Sequence, residues 1–304
     1  MNLKIGTRGS KLALWQAHHV KDVLEAAGIT VELVLYTTTG DLQQAQPLHE
    51  IGDKGLFTQA LDDAMLRGEI DIAVHSAKDL PTQLPDGIVL SAIGKREDPR
   101  DVLLSPGEEF DLDNVARGMT IGTSSLRRRA LLMHYLPHVT VVPMRGNVDT
   151  RVSKMLAGDC NGILLAYAGV KRMGLTHLIT RKLNVSTFTP AVGQGAIGIT
   201  MPVGHPATEV LRDLFNHAET EVAVLAERAF LRTLEGGCQS AIFALGTVVG
   251  QTLSFIGGVA ARDGSQVLRE AADCNILDAE DTGKRLAELL IQKGARTILH
   301  GKEN

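Results

Sequence analysis

The stretch MTIGTSSLRRRALLMHYLPHVTVVPMRGNVDTR, residues 119–151, decides the fold of this chain. Apolar and β-branched runs at 119–121 and 139–142 predict two short strands, each followed by a helical pattern. A polar turn joins each strand to its helix, GTSS at 122–125 in the first case and RGN at 145–147 in the second. Strands that alternate with helices in this way form parallel βαβ units.

The same alternation continues on both sides of this stretch. A charged run at 95–101 and the glycine-rich segment 190–195 interrupt it and are candidate crossings between domains. The predicted strands begin at residue 4 and span 31–36, 70–74, 119–121, 139–142 and 162–165, and the predicted helices follow Ser10 and cover 55–67, 125–135, 147–157 and 168–173. Trp15 lies on the apolar side of the first helix, and we expect it in the core.

The last part of the chain has a different pattern. A long helical period at 220–234 precedes three strand-like runs at 242–249, 253–260 and 267–271, and a helix at 279–293 closes the chain. Asp263-Gly264 is typical of a hairpin turn between the last two strands. Grouped strands with grouped helices predict a small α+β domain on a three-stranded antiparallel sheet.

Composition narrows the class of protein. The chain has 304 residues, a formal net charge of −4 and 44% hydrophobic residues, which indicates a globular protein of two or three domains. The acidic balance argues against general nucleic-acid or membrane binding. We find no apolar run that could span a bilayer and no signal peptide, which predicts a cytoplasmic protein. The three cysteines show no disulfide or zinc pattern, and no histidine pair has metal-ligand spacing, so no metal is expected.

Positive charge is concentrated where the fold-deciding stretch lies. Residues 114–154 carry seven basic side chains against one acid, Asp149. Arg127 and Arg128 follow the first polar turn, and Arg145 and Arg151 flank Gly146-Asn147 of the second. Ligands of open α/β sheets bind beyond the carboxyl ends of the strands. Arginine binds carboxylates and phosphates through paired hydrogen bonds. The sequence therefore predicts a pocket for several carboxylates or phosphates, with Arg117, Arg129 and Lys154 as ordinary surface charges.

Two further residues are candidates for chemistry. Asp79 follows a buried strand and could form a salt bridge, stabilise a developing positive charge or move a proton. Cys238 follows two glycines and could be a small buried residue or an attachment point. The segment 193–198 matches G-x-G-x-x-G, but no strand–turn–helix surrounds it, so we reject a dinucleotide site.

Together these motifs make the chain similar to the porphobilinogen deaminase (hydroxymethylbilane synthase) family along essentially its whole length. The matching segments are GTR at 6–8, LALWQA at 12–17, KGLF at 54–57, DIAVHSAKD at 71–79, REDPRD at 96–101, GTSSLRR at 122–128, RGNVDTR at 145–151, PAVGQG at 190–195 and EGGCQ at 235–239. The chain departs from the usual family pattern at Ser240-Ala241, where an apolar residue and proline are common, and also at Ala77, Gln59-Ala60 and Arg129.

The resemblance implies a fold and a domain plan. The fold would be α/β, with two periplasmic-binding-protein-like βαβ domains, an active cleft between them, and the small C-terminal α+β domain. Domain 1 would comprise 1–97 with 194–215, domain 2 would comprise 98–193, and domain 3 would comprise 216–304. The resemblance also suggests a monomer.

The resemblance implies a transferase that condenses four porphobilinogen molecules head to tail, with loss of ammonia, and releases hydroxymethylbilane by hydrolysis. A dipyrromethane cofactor, held by a thioether to Cys238, would be the primer, and Asp79 would be the catalytic carboxylate. The other residues implied in cofactor binding are Lys78, Ser76, Thr123, Ser125, Arg127, Arg128 and Gly146. Those implied in substrate binding are Arg8, Ser10, Gln16, Lys54, Arg145, Arg151, Arg172 and Gln194.

Two other classes of function remain open at this point. A non-enzymatic two-lobed binder of small carboxylates would also need a basic pocket, although Asp79 and Cys238 argue against it. An arginine-rich RNA binder is disfavoured because aromatic residues are only 4% of the chain and do not interleave with the arginines.

Overall fold

The structure is a computed structural model that describes residues 1–38, 58–107, 118–237 and 240–300. The chain divides into two compact units, the first formed by 1–97 with 195–221 and the second by 98–194 with 222–304. The strands are β1 (Asn2–Arg8), β2 (Thr30–Tyr36), β3 (Ile72–Ser76), β4 (Ile88–Ile93), β5 (Asp101–Leu104), β6 (Thr120–Gly122), β7 (Thr140–Val142), β8 (Gly162–Ala166), β9 (Ile179–Lys182), β10 (Ile197–Pro202), β11 (Ile242–Val249), β12 (Thr252–Ala260) and β13 (Val267–Asn275). The helices are α1 (Lys11–Ala26), α2 (Gln59–Leu66), α3 (Leu126–Tyr135), α4 (Val148–Leu156), α5 (Tyr167–Arg172), α6 (Thr208–Phe215), α7 (Ala218–Thr233), α8 (Ala279–Gln292) and α9 (Ala295–His300).

The first unit is built on a sheet with the strand order β2-β1-β3-β10-β4. β1 runs parallel to β2 and β3, whereas β10 is antiparallel to β3 and β4. Ser10 caps α1 by accepting the backbone N–H of Ala13. The helix then buries Ala17, Val20 and Leu24 on one face, at helical spacing, in the core against the sheet.

The second unit contains a sheet of the same plan, with the order β7-β6-β8-β5-β9. β6 is parallel to β7 and β8, and β5 is antiparallel to β8 and β9. In both sheets the strand next to the parallel core, β5 or β10, begins a few residues after the chain enters that unit. No crossover helix precedes these two strands in the described ranges. The strand–helix alternation in the sequence therefore predicted the parallel pairs but not the direction in which β5 and β10 run.

The C-terminal part of the second unit is an antiparallel sheet, β11-β12-β13. Its core contains Phe230 from α7, Phe255 from β12 and Leu290 from α8. A second cluster joins Phe243 of β11 to Leu131 of α3. The predicted α/β class with a small α+β part is confirmed, while the division into three domains at 193 and 216 stays a prediction.

The expectation for Trp15 is wrong. Its side chain is 39% exposed and stacks on His19, with ring centroids 5.3 Å apart. The buried face of α1 is formed instead by Gln16, Ala17 and Val20, which places a polar residue where the helical pattern suggested only apolar ones.

Candidate active site

In the first unit, the carboxyl ends of β1 and β3 lie at the same edge of the sheet because the two strands are parallel neighbours. Arg8 ends β1, and Ser76 ends β3. Lys78 and Asp79 follow at once in a 3-10 turn, Ala77–Asp79, and both are half-buried. This edge therefore gathers two basic residues, Arg8 and Lys78, and one carboxylate, Asp79.

A hydrogen bond connects this edge to α1. Gln16 is buried, and its Nε2 donates to Ser76 Oγ at 2.9 Å. Ser10, the cap of the same helix, is half-buried at its first turn. Ser10 follows Arg8, the end of β1, by two residues, and α1, which Ser10 caps, brings Gln16 to the end of β3.

His75 of β3 lies two residues before this turn and is neutral near pH 7. Its Nε2 is 3.2 Å from Thr200 Oγ1. Burial, and to a lesser extent the positive charge of Arg8, lowers the pKa of His75 to about 4. A neutral imidazole adds no charge next to Asp79, so the carboxylate and the basic residues set the electrostatics of this edge.

In the second unit, three βα turns meet at one edge because β6 is parallel to both β7 and β8. Ser125 caps α3 by accepting the backbone N–H of Arg128 at 3.4 Å, and Thr123 Oγ1 accepts the N–H of Ser125. Ser124 Oγ accepts the N–H of Met144, which ties this turn to the segment after β7. The hydroxyl residues of the GTSS turn thus organise the start of the arginine-bearing helix.

Arg127 and Arg128 point into the protein rather than into solvent. Their side chains are 3% and 6% exposed, and both contact the fully buried carboxylate of Asp101. Arg127 Nη1 lies 2.7 Å from Asp101 Oδ2, and Arg128 Nη2 lies 2.8 Å from Oδ1. Arg127 Nη1 also donates to the backbone oxygen of Thr189. Arg129, the third arginine of the run, is exposed.

Burial alone would raise the pKa of Asp101, but the charges and hydrogen bonds of Arg127 and Arg128 outweigh it and hold the pKa well below its usual range. Gln194 completes this cluster, since its Nε2 donates to Asp101 Oδ1 at 2.9 Å and to the backbone oxygen of Pro99 at 2.7 Å. The cluster has two guanidinium groups and one carboxylate, so it carries one positive charge in excess and lacks one negative charge.

The turn after β7 depends on a glycine. Gly146 has φ +118°, and a Cβ there would lie 2.7 Å from Thr150 Cγ2. Arg151 Nε donates back to the oxygen of Gly146 at 2.7 Å. Arg145 is half-buried, and its Nη1 is a buried donor with no hydrogen-bond partner among the described residues. Arg172, at the end of α5, is also half-buried.

Two predicted site residues, Lys54 and Cys238, lie outside the described residues, as does Arg117. Gly237 and Ser240, the nearest described residues on either side of Cys238, are joined by hydrogen bonds. Ser240 donates to the oxygen of Gly237 through both its backbone N–H, at 3.1 Å, and its hydroxyl, at 2.7 Å.

The donor set fits a ligand that carries several carboxylates. Besides Arg145 Nη1, the Nε of Arg127 is buried without a hydrogen-bond partner among the residues that the structure describes. A buried guanidinium donor is costly unless an acceptor reaches it, and a carboxylate is the acceptor that its geometry matches. These two donors belong to residues that the sequence assigned to the site, whereas Arg269, whose Nε is likewise buried without a hydrogen-bond partner in the described ranges, was not assigned.

Asp101 is the residue that the sequence reasoning missed. It appeared only as the last letter of the REDPRD segment, although a usable signal was present. An aspartate that opens the apolar run Asp101-Val102-Leu103-Leu104 stands on a buried strand, and buried carboxylates require cationic partners. The arginine pair at 127–128, which the sequence assigned to the ligand alone, supplies that charge.

Comparison with known proteins agrees with this chemistry. A family model described as "Porphobilinogen deaminase, dipyromethane cofactor binding domain" matches residues 3–209, and one described as "Porphobilinogen deaminase, C-terminal domain" matches 222–292. The chain is 46% identical over 299 residues to a protein of Geobacter sulfurreducens named porphobilinogen deaminase, covering 98% of this chain and 93% of the relative. It is 47% identical to proteins of the same name from Syntrophotalea carbinolica and Cytophaga hutchinsonii, covering 98% of this chain and 95% and 96% of those relatives.

Solved structures show more distant likenesses. One solved structure is that of a "putative methionine-binding lipoprotein" of Bacillus subtilis. It is 9% identical to this chain, with a TM-score of 0.44 over 72% of this chain and 92% of that one. A nutrient binding protein of Burkholderia cenocepacia is 13% identical, with a TM-score of 0.42 over 69% of this chain and 89% of that one. Likenesses this distant say nothing about what the chain binds. No helix within the described ranges is long and apolar enough to cross a membrane.

Proposed function

This chain belongs to the porphobilinogen deaminase family, and we propose that it condenses four porphobilinogen molecules head to tail, with loss of ammonia, on a covalently bound dipyrromethane primer. Hydrolysis then releases the linear tetrapyrrole hydroxymethylbilane. The observation that carries this proposal is the match to both family models over 3–209 and 222–292. The basic strand edges support it independently, because porphobilinogen and the chain built from it carry acetate and propionate groups.

The primer would be attached through the Cys238 thiol. When bound, the dipyrromethane supplies a pyrrole carbon on which the first incoming ring can be joined. Its carboxylates would accept hydrogen bonds from donors such as Arg127, whose buried Nε has no hydrogen-bond partner within the described part of the chain. The residues that we propose for holding it are Ser76, Lys78, Asp79, Thr123, Ser125, Arg127, Arg128 and Gly146.

Substrate carboxylates need cations that are held in place. Arg151 is fixed by its bond to the Gly146 oxygen, and Arg145 retains a buried donor at Nη1 without a partner in the described ranges. Fixed guanidinium groups bind carboxylates with less loss of side-chain entropy than free ones. We assign the substrate to Arg8, Ser10, Gln16, Lys54, Arg145, Arg151, Arg172 and Gln194.

Asp79 is the proposed catalytic residue. Loss of ammonia from porphobilinogen leaves positive charge on the pyrrole ring, and a carboxylate near the ring nitrogen stabilises that charge. A group of this kind contributes about 10²–10³ in rate. Asp79 is suited to the role because the turn Ala77–Asp79 directly continues β3 and is hydrogen-bonded through Ala77 N to the oxygen of Ala196.

Incubation of the purified protein with porphobilinogen tests the proposal. We expect release of one ammonia per porphobilinogen consumed and uroporphyrin absorbance after the product cyclises and oxidises. Asp79→Ala, which leaves the basic residues in place, is the matched control and should bind carboxylates with turnover lowered by about 10²–10³. Carboxylate binding with no ammonia release from the unmodified protein would favour the two-lobed binder instead.

We further propose that the protein works as a cytoplasmic monomer. Cys160 and Cys274 are free thiols in the structure, which suits a reducing compartment. Light scattering should give the mass of one chain, and cell fractionation should place the activity in the cytosol. A dimer mass, or activity confined to another fraction, would contradict the respective part of the proposal.

A further inference from the structure

Asp101 is the most heavily engaged buried carboxylate near the arginine-rich edge. It opens β5 and is fully buried. Its Oδ1 accepts from Arg128 Nε at 3.1 Å, from Arg128 Nη2 at 2.8 Å and from Gln194 Nε2 at 2.9 Å. Its Oδ2 forms a 2.7 Å ion pair with Arg127 Nη1 but accepts no hydrogen bond from the described residues. A single carboxylate thus contacts three side chains that arrive from two different parts of the second unit.

The remaining contacts show that the two guanidinium groups are held differently. Arg128 also donates from Nη1 to the backbone oxygen of Leu164, so Asp101 and the end of β8 fix it on several sides. Arg127 donates from Nη1 to Thr189, whereas its buried Nε has no hydrogen-bond partner among the described residues. A carboxylate that served only to neutralise a buried arginine would be expected to satisfy that donor. Instead, the arrangement keeps one donor of Arg127 available to an acceptor from outside the cluster.

The charge balance points the same way. Two guanidinium groups face one carboxylate, and Gln194 adds no charge, so a further anion would complete the balance. An isolated buried charge is strongly unfavourable, whereas a paired and hydrogen-bonded one is tolerated. A ligand carboxylate has the charge and the geometry that the cluster lacks.

We propose that Asp101 is a positioning residue for the reaction: it orients Arg127, Arg128 and Gln194 so that the arginine pair can take one carboxylate of the bound pyrrole chain. The inference rests on the proposed function, because it is the assigned roles of those three residues that Asp101 serves. Asp101 itself does not contact substrate and moves no proton. It stays ionised over the whole working pH range, since its pKa lies far below it.

Asp101→Asn is the direct test, because it conserves shape and removes the charge. The asparagine retains one acceptor oxygen, but its NH2 group faces a guanidinium donor, so one arginine loses its partner. Glu221→Gln is the matched control. Glu221 is likewise paired with an arginine, Arg212, at 2.8 Å and accepts from an amide, Asn216 Nδ2, at 2.7 Å, but it lies in the first unit and is assigned no role in the reaction.

The readouts separate positioning from stability. Intact mass measures the fraction of chains that carry the covalent cofactor. Steady-state kinetics with porphobilinogen gives KM, and it gives kcat per folded chain that carries the cofactor. Both are measured well below the melting temperature of each variant. For Asp101→Asn we expect a loaded fraction at least tenfold lower than in the unmodified protein, or, in the chains that load, a KM raised about 10–10²-fold, the effect of losing one charge-assisted hydrogen bond. Glu221→Gln should lower the melting temperature and leave the loaded fraction and KM unchanged.

A folded Asp101→Asn variant with normal loading and normal KM would overturn the inference and leave the proposed function intact. Absence of cofactor and turnover in the unmodified protein would instead refute the proposed function. If Asp101→Asn does not fold, Asp101→Glu replaces it, because it keeps the charge and displaces the oxygens by one methylene. A folded Asp101→Glu with unaltered KM and loading would then contradict positioning, and a raised KM with retained loading would support it.

Discussion

Glu227 offers a stability prediction that the structure makes quantitative. This residue of α7 is fully buried, and its carboxylate accepts two backbone N–H groups of the second unit. Oε2 accepts from Gly193 at 2.7 Å, just before the chain leaves the unit, and Oε1 accepts from Gly246 of β11 at 2.8 Å. Glu227→Gln keeps one acceptor oxygen and turns an NH2 group towards the other N–H, so one buried backbone donor loses its partner.

The expected cost follows from these two bonds. A buried donor left without a partner costs about 1–3 kcal/mol, and the surviving bond loses the roughly 1 kcal/mol that separates a charged from a neutral acceptor. We therefore expect the free energy of unfolding to fall by about 3 kcal/mol. For a cooperative unit of this size, about 2–4 °C per kcal/mol, this corresponds to a melting temperature lower by about 6–12 °C.

Thermal and denaturant unfolding followed by circular dichroism measure this loss. Glu235→Gln is the control, because Glu235 lies in the same unit and pairs with Arg296 at 2.8 Å while its side chain is 71% exposed. An exposed pair contributes about 0–1 kcal/mol, so the control should melt close to the unmodified protein. If Glu227→Gln melts within the range of that control, its two backbone contacts do not hold the segment as described.

Three further outcomes can be measured. His75 is buried with a pKa of about 4, so the unfolded state takes up a proton at higher pH than the folded state does, and the first unit should lose about 3 kcal/mol of stability as the pH falls from about 6.5 to 4. His75→Asn should flatten that part of the pH–stability curve, and an unchanged slope would exclude His75 as its source. Asp79→Ala should lower kcat by about 10²–10³ while intact mass still shows the covalent cofactor; near-normal kcat would remove Asp79 from the mechanism. Gly195→Ala should destabilise the protein by at least about 2 kcal/mol in urea unfolding, because φ is +93° and a Cβ would lie 2.5 Å from the oxygen of Glu97. Gly107→Ala, with open space around it, should be close to neutral, and equal unfolding midpoints for the two variants would contradict this reasoning.

The C-terminal sheet shows what the sequence can predict well. β11 was expected at 242–249 and is found at Ile242–Val249, and the Asp263-Gly264 turn does join β12 to β13, with Gly264 at φ +72°. These strands are long, and their turns have specific residue preferences. The local sequence was therefore enough to predict most of these strands and their turn.

Short strands and buried charges were harder to predict. β5 and β9 have four residues each, and their pairing is set by strands that are distant in sequence. α6 was missed although Leu211, Leu214 and Phe215 have helical spacing. The inward orientation of Arg127 and Arg128 depends on Asp101. The spacing of apolar residues in a sequence does not indicate which of several acids a buried arginine contacts. The roles assigned to the site residues stay predictions for the same reason.

The intact mass of the purified protein, before and after brief exposure to porphobilinogen, tests the central claim most directly. We predict that the unmodified chain is heavier than its sequence by two linked pyrrole units, that exposure adds further species one ring apart, and that Cys238→Ser shows neither gain. A chain at its sequence mass that still releases ammonia from porphobilinogen would contradict the covalent primer. A chain at its sequence mass that releases none would contradict the proposed reaction.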